Sequence, residues 1–420
     1  MARQLKTDIA VGAFLAKREL KRTSIWTTSL IIFVMLLTFL NLTVVGGILV
    51  GLIEGAVTAD QKYSSGDILV TPFLNKAVIE DTPEIVATAK TLPDYQALVV
   101  RYTGSARVES NYRKTIKPNE LRDGAGASLL GIDPKDESNF SDISNYVIEG
   151  SFIEPNDTES VVLGKNLLYK YLPIDAPGLQ TLKDVEIGSR VKITVGGKTS
   201  KEYYVKGIIG SKVDTFDSSV VILDSEARKL IGRDDFNANQ IAIHLTPGAD
   251  PNVDKAMLVA SGADQHGRVQ THDEAMPKFL KDIQDTFAIL GNAISSIGLV
   301  VAAITIFIVI FVNAITRRRF IGILKGIGIS PRAIAVSYII QSMFYAVAGS
   351  LIGMVVLFGI LKPYFGLHPI NFPFSNGILV ATIPGTFTRV LILLIATIVA
   401  GYIPARIVIK QNTLSAILGR

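Results

Sequence analysis

Apolar side chains crowd into four stretches of the chain. Thr23 to Ile53, Thr286 to Thr316 and Ala333 to Leu361 contain no charged residue at all. Each exceeds the ~20 residues that carry a helix across a hydrocarbon core. A fourth run, Thr388 to Ile409, is shorter and begins beside Arg389; its dense part is LILLIATIVAGYIPARIVI. If Arg389 snorkels to one surface and Arg406 marks the other, their 17-residue separation at ~1.5 Å per residue gives roughly 25 Å, close to a bilayer core. The pattern therefore predicts transmembrane helices over 25–53, 285–316, 334–361 and 388–409, with an amphipathic helix over 1–24. Val57-Thr58-Ala59 has the look of a small-residue cleavage site. The first run is too long for a secretory h-region of about 7 to 15 residues, so an uncleaved signal-anchor is the expectation.

Between the first and second runs, residues 54–284 have ordinary polar composition. Short runs with the strand period stand out at Asp67 to Thr71, Ala97 to Val108, Ser160 to Leu163, Arg190 to Val195, Tyr203 to Ile209, Ser219 to Leu223 and Gln240 to Leu245. Helix-like pieces lie near Pro83 to Thr91, Lys165 to Tyr171, Ser225 to Ile231 and Asp250 to Ala260. This alternation predicts an α+β domain. The Gly- and Asp-rich stretch Asp123 to Asp136 marks a candidate junction, with 133–238 as an inserted subdomain. The fold class is thus an α-helical membrane protein with four transmembrane helices and a large α+β domain between helices 1 and 2.

Composition agrees: the chain has 420 residues, 49% hydrophobic and only 19% charged, with a mean hydropathy of +0.39. A net charge of +5 is modest, and its basic residues gather beside the apolar runs, so nucleic acid is not an expected partner. Lys17, Arg18, Lys21 and Arg22 precede the first run, Arg317 to Arg332 separates the second from the third, and Arg406, Lys410 and Arg420 follow the fourth. The positive-inside rule puts these three segments in the cytosol and both termini with them. The domain 54–284 and the loop 362–387 then lie outside; 317–333 and the tail 410–420 lie inside.

Candidate chemistry is sparse. No cysteine is present. GGKTS, Gly196 to Ser200, imitates the end of a phosphate loop, but Lys192 stands where its first glycine is needed; a hairpin turn between two strands explains it better. His244, His266, His272 and His368 have no metal-ligand spacing and are expected as isolated surface residues. There is no nucleophile elbow. The first three runs hold no Asp, Glu, Lys, Arg or His; their polar residues are Asn41, Asn292, Asn313, Gln341 and scattered hydroxyls, which suit helix packing better than ion coupling. Gly47 to Gly51 and Gly349 to Gly353 offer small-residue contacts within the chain or across a dimer. The cytosolic pieces fall far short of the ~100–150 residues of a nucleotide-hydrolysing domain. Any driving energy is expected from a separate cytosolic partner, with no catalytic, cofactor or metal site in this chain.

The stretch RRRFIGILKGIGISPRAI, Arg317 to Ile334, carries five cations and no carboxylate. Ile321, Leu324, Ile327 and Gly328 fall at one helical face, predicting an apolar docking stripe, with Ser330-Pro331 capping the next helix. Basic residues alone would anchor to lipid headgroups; the interleaved glycines at 322, 326 and 328 suit close packing against protein. This stretch resembles the R-R-x-E-I-G-I-L-K-A-L-G-A-S-x-x-x-I segment of FtsX-like and MacB-like ABC transporter permeases. QSMFYAVAGSLIG and GYIPARIVIKQNTLSAIL, the latter spanning Gly401 to Leu418, are similar to that family's next helix and its terminal signature, with Pro404 and Ala405 in register. KRELKRTS and GDILVTP, flanking the first run, are familiar from the same proteins. The resemblance implies a permease of the type VII class that pairs with a second copy or a related chain and docks cytosolic ATPase subunits between spans two and three. ATP and Mg would sit in that ATPase, whose motion would be relayed outward by mechanotransmission for export or extraction of a substrate. Lipids and an extracytoplasmic adaptor are further expected partners. Carried over by position, the coupling residues are Arg318, Arg319, Ile321, Gly322, Ile323, Leu324, Lys325, Gly328 and Ser330. Phe320 departs from the family's Glu, and Asn412 and Thr413 from its terminal proline region. A signalling scaffold that activates an extracytoplasmic cell-wall hydrolase is the alternative, and the neighbouring coding sequence discriminates the two.

Overall fold

The computed structural model describes residues 2–112, 123–173, 180–197, 199–276, 278–372 and 376–409. The chain divides into two compact units: Met1–Glu54, Asp282–Asn371 and Gly377–Arg420 form one, Gly55–Lys281 and Phe372–Asn376 the other. Among the described residues, four apolar helical runs are long enough to cross a membrane, at Ile25–Ser65, Leu280–Thr316, Pro331–Leu367 and Ile383–Ile407, and most of their length belongs to the first unit. Helix extends beyond the apolar run in the first three, because polar residues such as Asp60 and Gln61 continue a helix as well as apolar ones. The first run stops at Gly66, whose φ of +65° leaves the right-handed helical region.

Within this unit the small residues make the contacts that the sequence left open, and they make them inside one chain. A side chain at Gly349 or Gly353 would overlap Met35 or Phe39, both fully buried. One at Gly51 would overlap the carbonyl of Ile378, and one at Gly47 would lie 2.6 Å from that of Val380. Polar groups pack likewise: Ser295 Oγ donates to the Leu42 carbonyl at 3.2 Å, and Gln341 Nε2 to Ser337 Oγ at 3.3 Å. Gly51→Ala, which meets backbone, is expected to cost about 1–3 kcal/mol of stability. Gly359→Ala meets nothing within 4 Å and is expected to be neutral or to stabilise by up to ~1 kcal/mol. Melting of the two variants in detergent checks the contrast.

Arg389 does not snorkel. Its half-buried guanidinium turns inward, and Nη1 donates to the Thr43 carbonyl at 3.2 Å. The reason lies in the first helix, which widens to a π-turn over Asn41–Val45 and leaves a carbonyl there for an outside donor.

Among the described residues, the inserted unit carries ten strands: β1 (Ile68–Thr71), β2 (Tyr95–Glu109), β3 (Gly124–Ile132), β4 (Val147–Gly150), β5 (Ser160–Gly164), β6 (Arg190–Val195), β7 (Thr199–Ile209), β8 (Ser219–Leu223), β9 (Gln240–Leu245) and β10 (Arg268–Thr271). Their order is β10-β1-β9-β2-β3-β8-β5-β7-β4, and β6 pairs both β2 and β7. Strands β2, β3, β8, β5, β7 and β6 therefore close on themselves, hydrogen bonded all round, about a core of Leu129, Val161, Leu163, Ile193, Tyr203 and Val220. The first half of β2 instead joins β9, β1 and β10 in an open sheet, with the helices Thr82–Ala89 and Pro251–Ala260 supplying Ile85, Ala89 and Leu258 to its core.

Segment 133–238 is therefore not a self-contained subdomain: the closed sheet also takes in β3 and the second half of β2. The glycine-rich stretch before Asp133 is a strand rather than a junction. Its small residues make room for the helix Asp224–Ile231, since a side chain at Gly131 would overlap Ala227. GGKTS does form the β6–β7 hairpin, with Val195 opposite Thr199 and left-handed Gly196 and Gly197 in the turn; Lys198 lies outside the described residues.

Candidate functional site

The helix Lys278–Thr316 ends where Arg317 leaves helical geometry, at φ −104° and ψ 15°. Arg317 is held there by an ion pair with Glu19 of the amphipathic helix Ala2–Arg22. A short helix, Arg318–Gly326, follows and stops before Gly328, which adopts φ +91°. Ser330 then caps the next helix, its Oγ accepting from the Ala333 N–H at 3.0 Å while donating to Asp8. So the segment is fixed from both sides by one amphipathic helix.

The expected stripe splits across two faces. Ile321 is 3% exposed, Gly322 is buried, and Leu324 is half-buried against the same core as Ile334 and Tyr338. Phe320, Ile323 and Ile327 are 43%, 46% and 71% exposed. Their i, i+3, i+7 spacing makes the outward apolar stripe, with Arg319 exposed beside it and Arg318 half-buried. Lys325 Nζ donates to the Ile409 carbonyl at 3.0 Å, a cation at a helix C-terminus. Gly328 is exposed and Ser330 half-buried. Residues 410–420, with Asn412, Thr413 and the tail, lie outside the described residues.

A second constellation, in the inserted unit, was not anticipated. The last turn of the first helical run, Gln61–Ser65, presents its terminal carbonyls to buried side chains. Arg101 of β2 donates from Nη1 to the Ser64 carbonyl at 2.6 Å and from Nη2 to that of Tyr63 at 2.7 Å. The same guanidinium pairs with Glu137 of the helix Pro134–Phe140 at 2.6 and 3.0 Å. Gln240 adds a bond to the Ser64 carbonyl at 2.9 Å. The only sequence signal was one arginine set in the apolar run ALVVRYTG.

Two histidines join this cluster, so neither is isolated. His272 is buried and its Nδ1 lies 2.6 Å from Ser65 Oγ. His244 bonds Asp67 and the Lys62 carbonyl and stacks on Phe140 at 4.1 Å. Burial pushes the Asp67 carboxyl upward, but hydrogen bonds from His244 and the Leu245 N–H outweigh it and hold the group below its ordinary 3.8. A depressed carboxyl stabilises the fold fully above that ordinary value and loses its contribution as pH falls through the lower one. Unfolding at pH 6 and pH 3 is therefore expected to show a larger acid loss in the wild type than in Asp67→Asn.

A family model described as FtsX-like permease C-terminal matches residues 292–413, which include the whole Arg317 to Ser330 segment. Across the full length, the chain is 21% identical to an uncharacterized ABC transporter permease of Methanocaldococcus jannaschii, covering 100% of both. Residues 292–413 are thus similar to the C-terminal part of FtsX-like permeases, and the whole chain is similar to an ABC transporter permease. The chain is also 24% identical, over 67% of its length, to a pyoverdine export ATP-binding/permease protein of Pseudomonas fluorescens, of which the match spans 42%. Among solved structures, the periplasmic region of MacB from Actinobacillus actinomycetemcomitans is 10% identical with TM-score 0.34, covering 52% of this chain and 94% of that one. The extracellular domain of the transporter YknZ from Gram-positive bacteria is 12% identical with TM-score 0.32, covering 49% and 98%.

Proposed function

We propose that this permease is the membrane subunit of an ABC exporter or extraction machine, driven by a separate cytosolic ATPase docked on residues 317–333. The observation that carries the reading is the exposed stripe of Phe320, Ile323 and Ile327 on a helix whose other face is anchored in the span core. A lipid anchor alone gives no reason for a capped, doubly braced helix between two spans. Arg319 completes the contact; Ile321, Gly322 and Leu324 position it, and Arg318, Lys325, Gly328 and Ser330 fix the turns around it. Phe320, standing where the resemblance to the family leads one to expect Glu, points to a partner whose seat is apolar at that place. With 317–333 and both termini in the cytosol of the cell membrane, the inserted domain works outside it and receives the ATPase's motion by mechanotransmission. Two copies of the permease, or one and a related chain, would carry two ATPases; an adaptor outside the membrane would extend the route. The permease itself performs no catalysis in this reading.

Affinity purification in mild detergent tests it. A co-purifying ATPase with Walker motifs, lost on Phe320→Asp, is the expected result. Purified permease that moves a solute alone in proteoliposomes would overturn it.

A further inference from the structure

We infer that Arg101 is the positioning residue through which the end of the first span grips the inserted domain, so that displacement of the helix is handed to the sheet. This rests on the ATPase-driven reading above. Helix ends usually give their last carbonyls to water or to a turn. Here residues 62–65 bond side chains from β2, β9 and the start of the helix His272–Ala275. The guanidinium, wholly buried, supplies two of those bonds from one planar fork of fixed geometry. Its position in β2 matters as much. Arg101 pairs Gln240 as the last contact of β2 with the open sheet, and Tyr102 pairs Gly131 as its first with the closed one. A pull at this residue therefore reaches both halves of the domain. The Ser65–His272 bond ties the helix that enters the domain to the segment by which the chain leaves it.

A purely structural ion pair and a mechanical grip predict different things. Buried ion pairs are often replaceable by apolar residues of similar volume without loss of stability. Arg101→Met combined with Glu137→Leu should then restore the fold while abolishing the carbonyl contacts. The test uses the permease and its co-purified ATPase in lipid nanodiscs, with amide hydrogen exchange measured with and without ATP plus vanadate. In the wild type, nucleotide is expected to change exchange in both 317–333 and β9 and β3. In the double variant the melting temperature and the change at 317–333 are expected to persist, while the change in β9 and β3 is lost. A wild-type response of β9 and β3 in the double variant would overturn the grip. Should that variant fail to fold, Arg101→Lys serves, since it keeps the pair with Glu137 but not the fork; a full response there overturns the proposal equally. No nucleotide-linked change at 317–333 in the wild type would instead defeat the ATPase-driven reading, and the grip with it.

Discussion

Glu137→Ala is expected to remove about 3–5 kcal/mol of stability from the inserted domain. The side chains of Arg101 and Glu137 are 0% and 1% exposed, so no water replaces the lost carboxylate. The guanidinium sits 5.5 Å from the Phe140 ring and 5.3 Å from that of Phe216, which leaves it no path to solvent. The carbonyls of Tyr63 and Ser64 compensate part of the charge, as a helix C-terminus does, but partial charges do not replace a full one. Glu80→Ala is the control, because its pair with Lys76 is exposed on both sides and water screens such pairs until they contribute little. The one tryptophan, Trp26, lies in the span unit. Unfolding should therefore be followed by circular dichroism or amide exchange rather than intrinsic fluorescence. A Glu137→Ala loss no larger than that of Glu80→Ala would show that the domain relaxes to hydrate Arg101.

The spans could be read from the chain because charge-free runs of that length have few other homes. Strands β6, β8 and β9 were legible to the residue because each is a short β-branched run with clear breakers on either side. Closure of the six strands was not, since it depends on Val195 of β6 reaching Ala106 of β2, a pairing no local pattern announces. Strand β3 hid behind glycines that loops also use; here they clear space for a helix. The helix-like piece Lys165 to Tyr171 forms a 3₁₀ turn at Lys165–Leu167. At the basic segment, spacing revealed apolar stripes but not which one meets the core. The choice is made by Ile334, Tyr338 and the amphipathic N-terminal helix, all distant in pattern from residue 321. Arg101 was invisible for a related reason: its value lies in carbonyls 37 and 38 positions away.

Ile323→Asp is expected to weaken binding and stimulation of the partner ATPase at least about tenfold, the effect of losing a central apolar anchor worth more than ~1.4 kcal/mol. Ile323 lies between Phe320 and Ile327 on the exposed face, so a carboxylate there meets the partner and not the permease core. Melting temperature should stay close to the wild type. Leu324→Asp is the instructive neighbour. Its side chain packs half-buried against the span core, so a charge there is expected to lower stability first and coupling only as a consequence. Binding measured by pull-down, alongside melting in the same detergent, separates the two. If both variants lose stability equally, or if Ile323→Asp binds the ATPase as the wild type does, the outward stripe is a membrane anchor and the docking surface lies elsewhere.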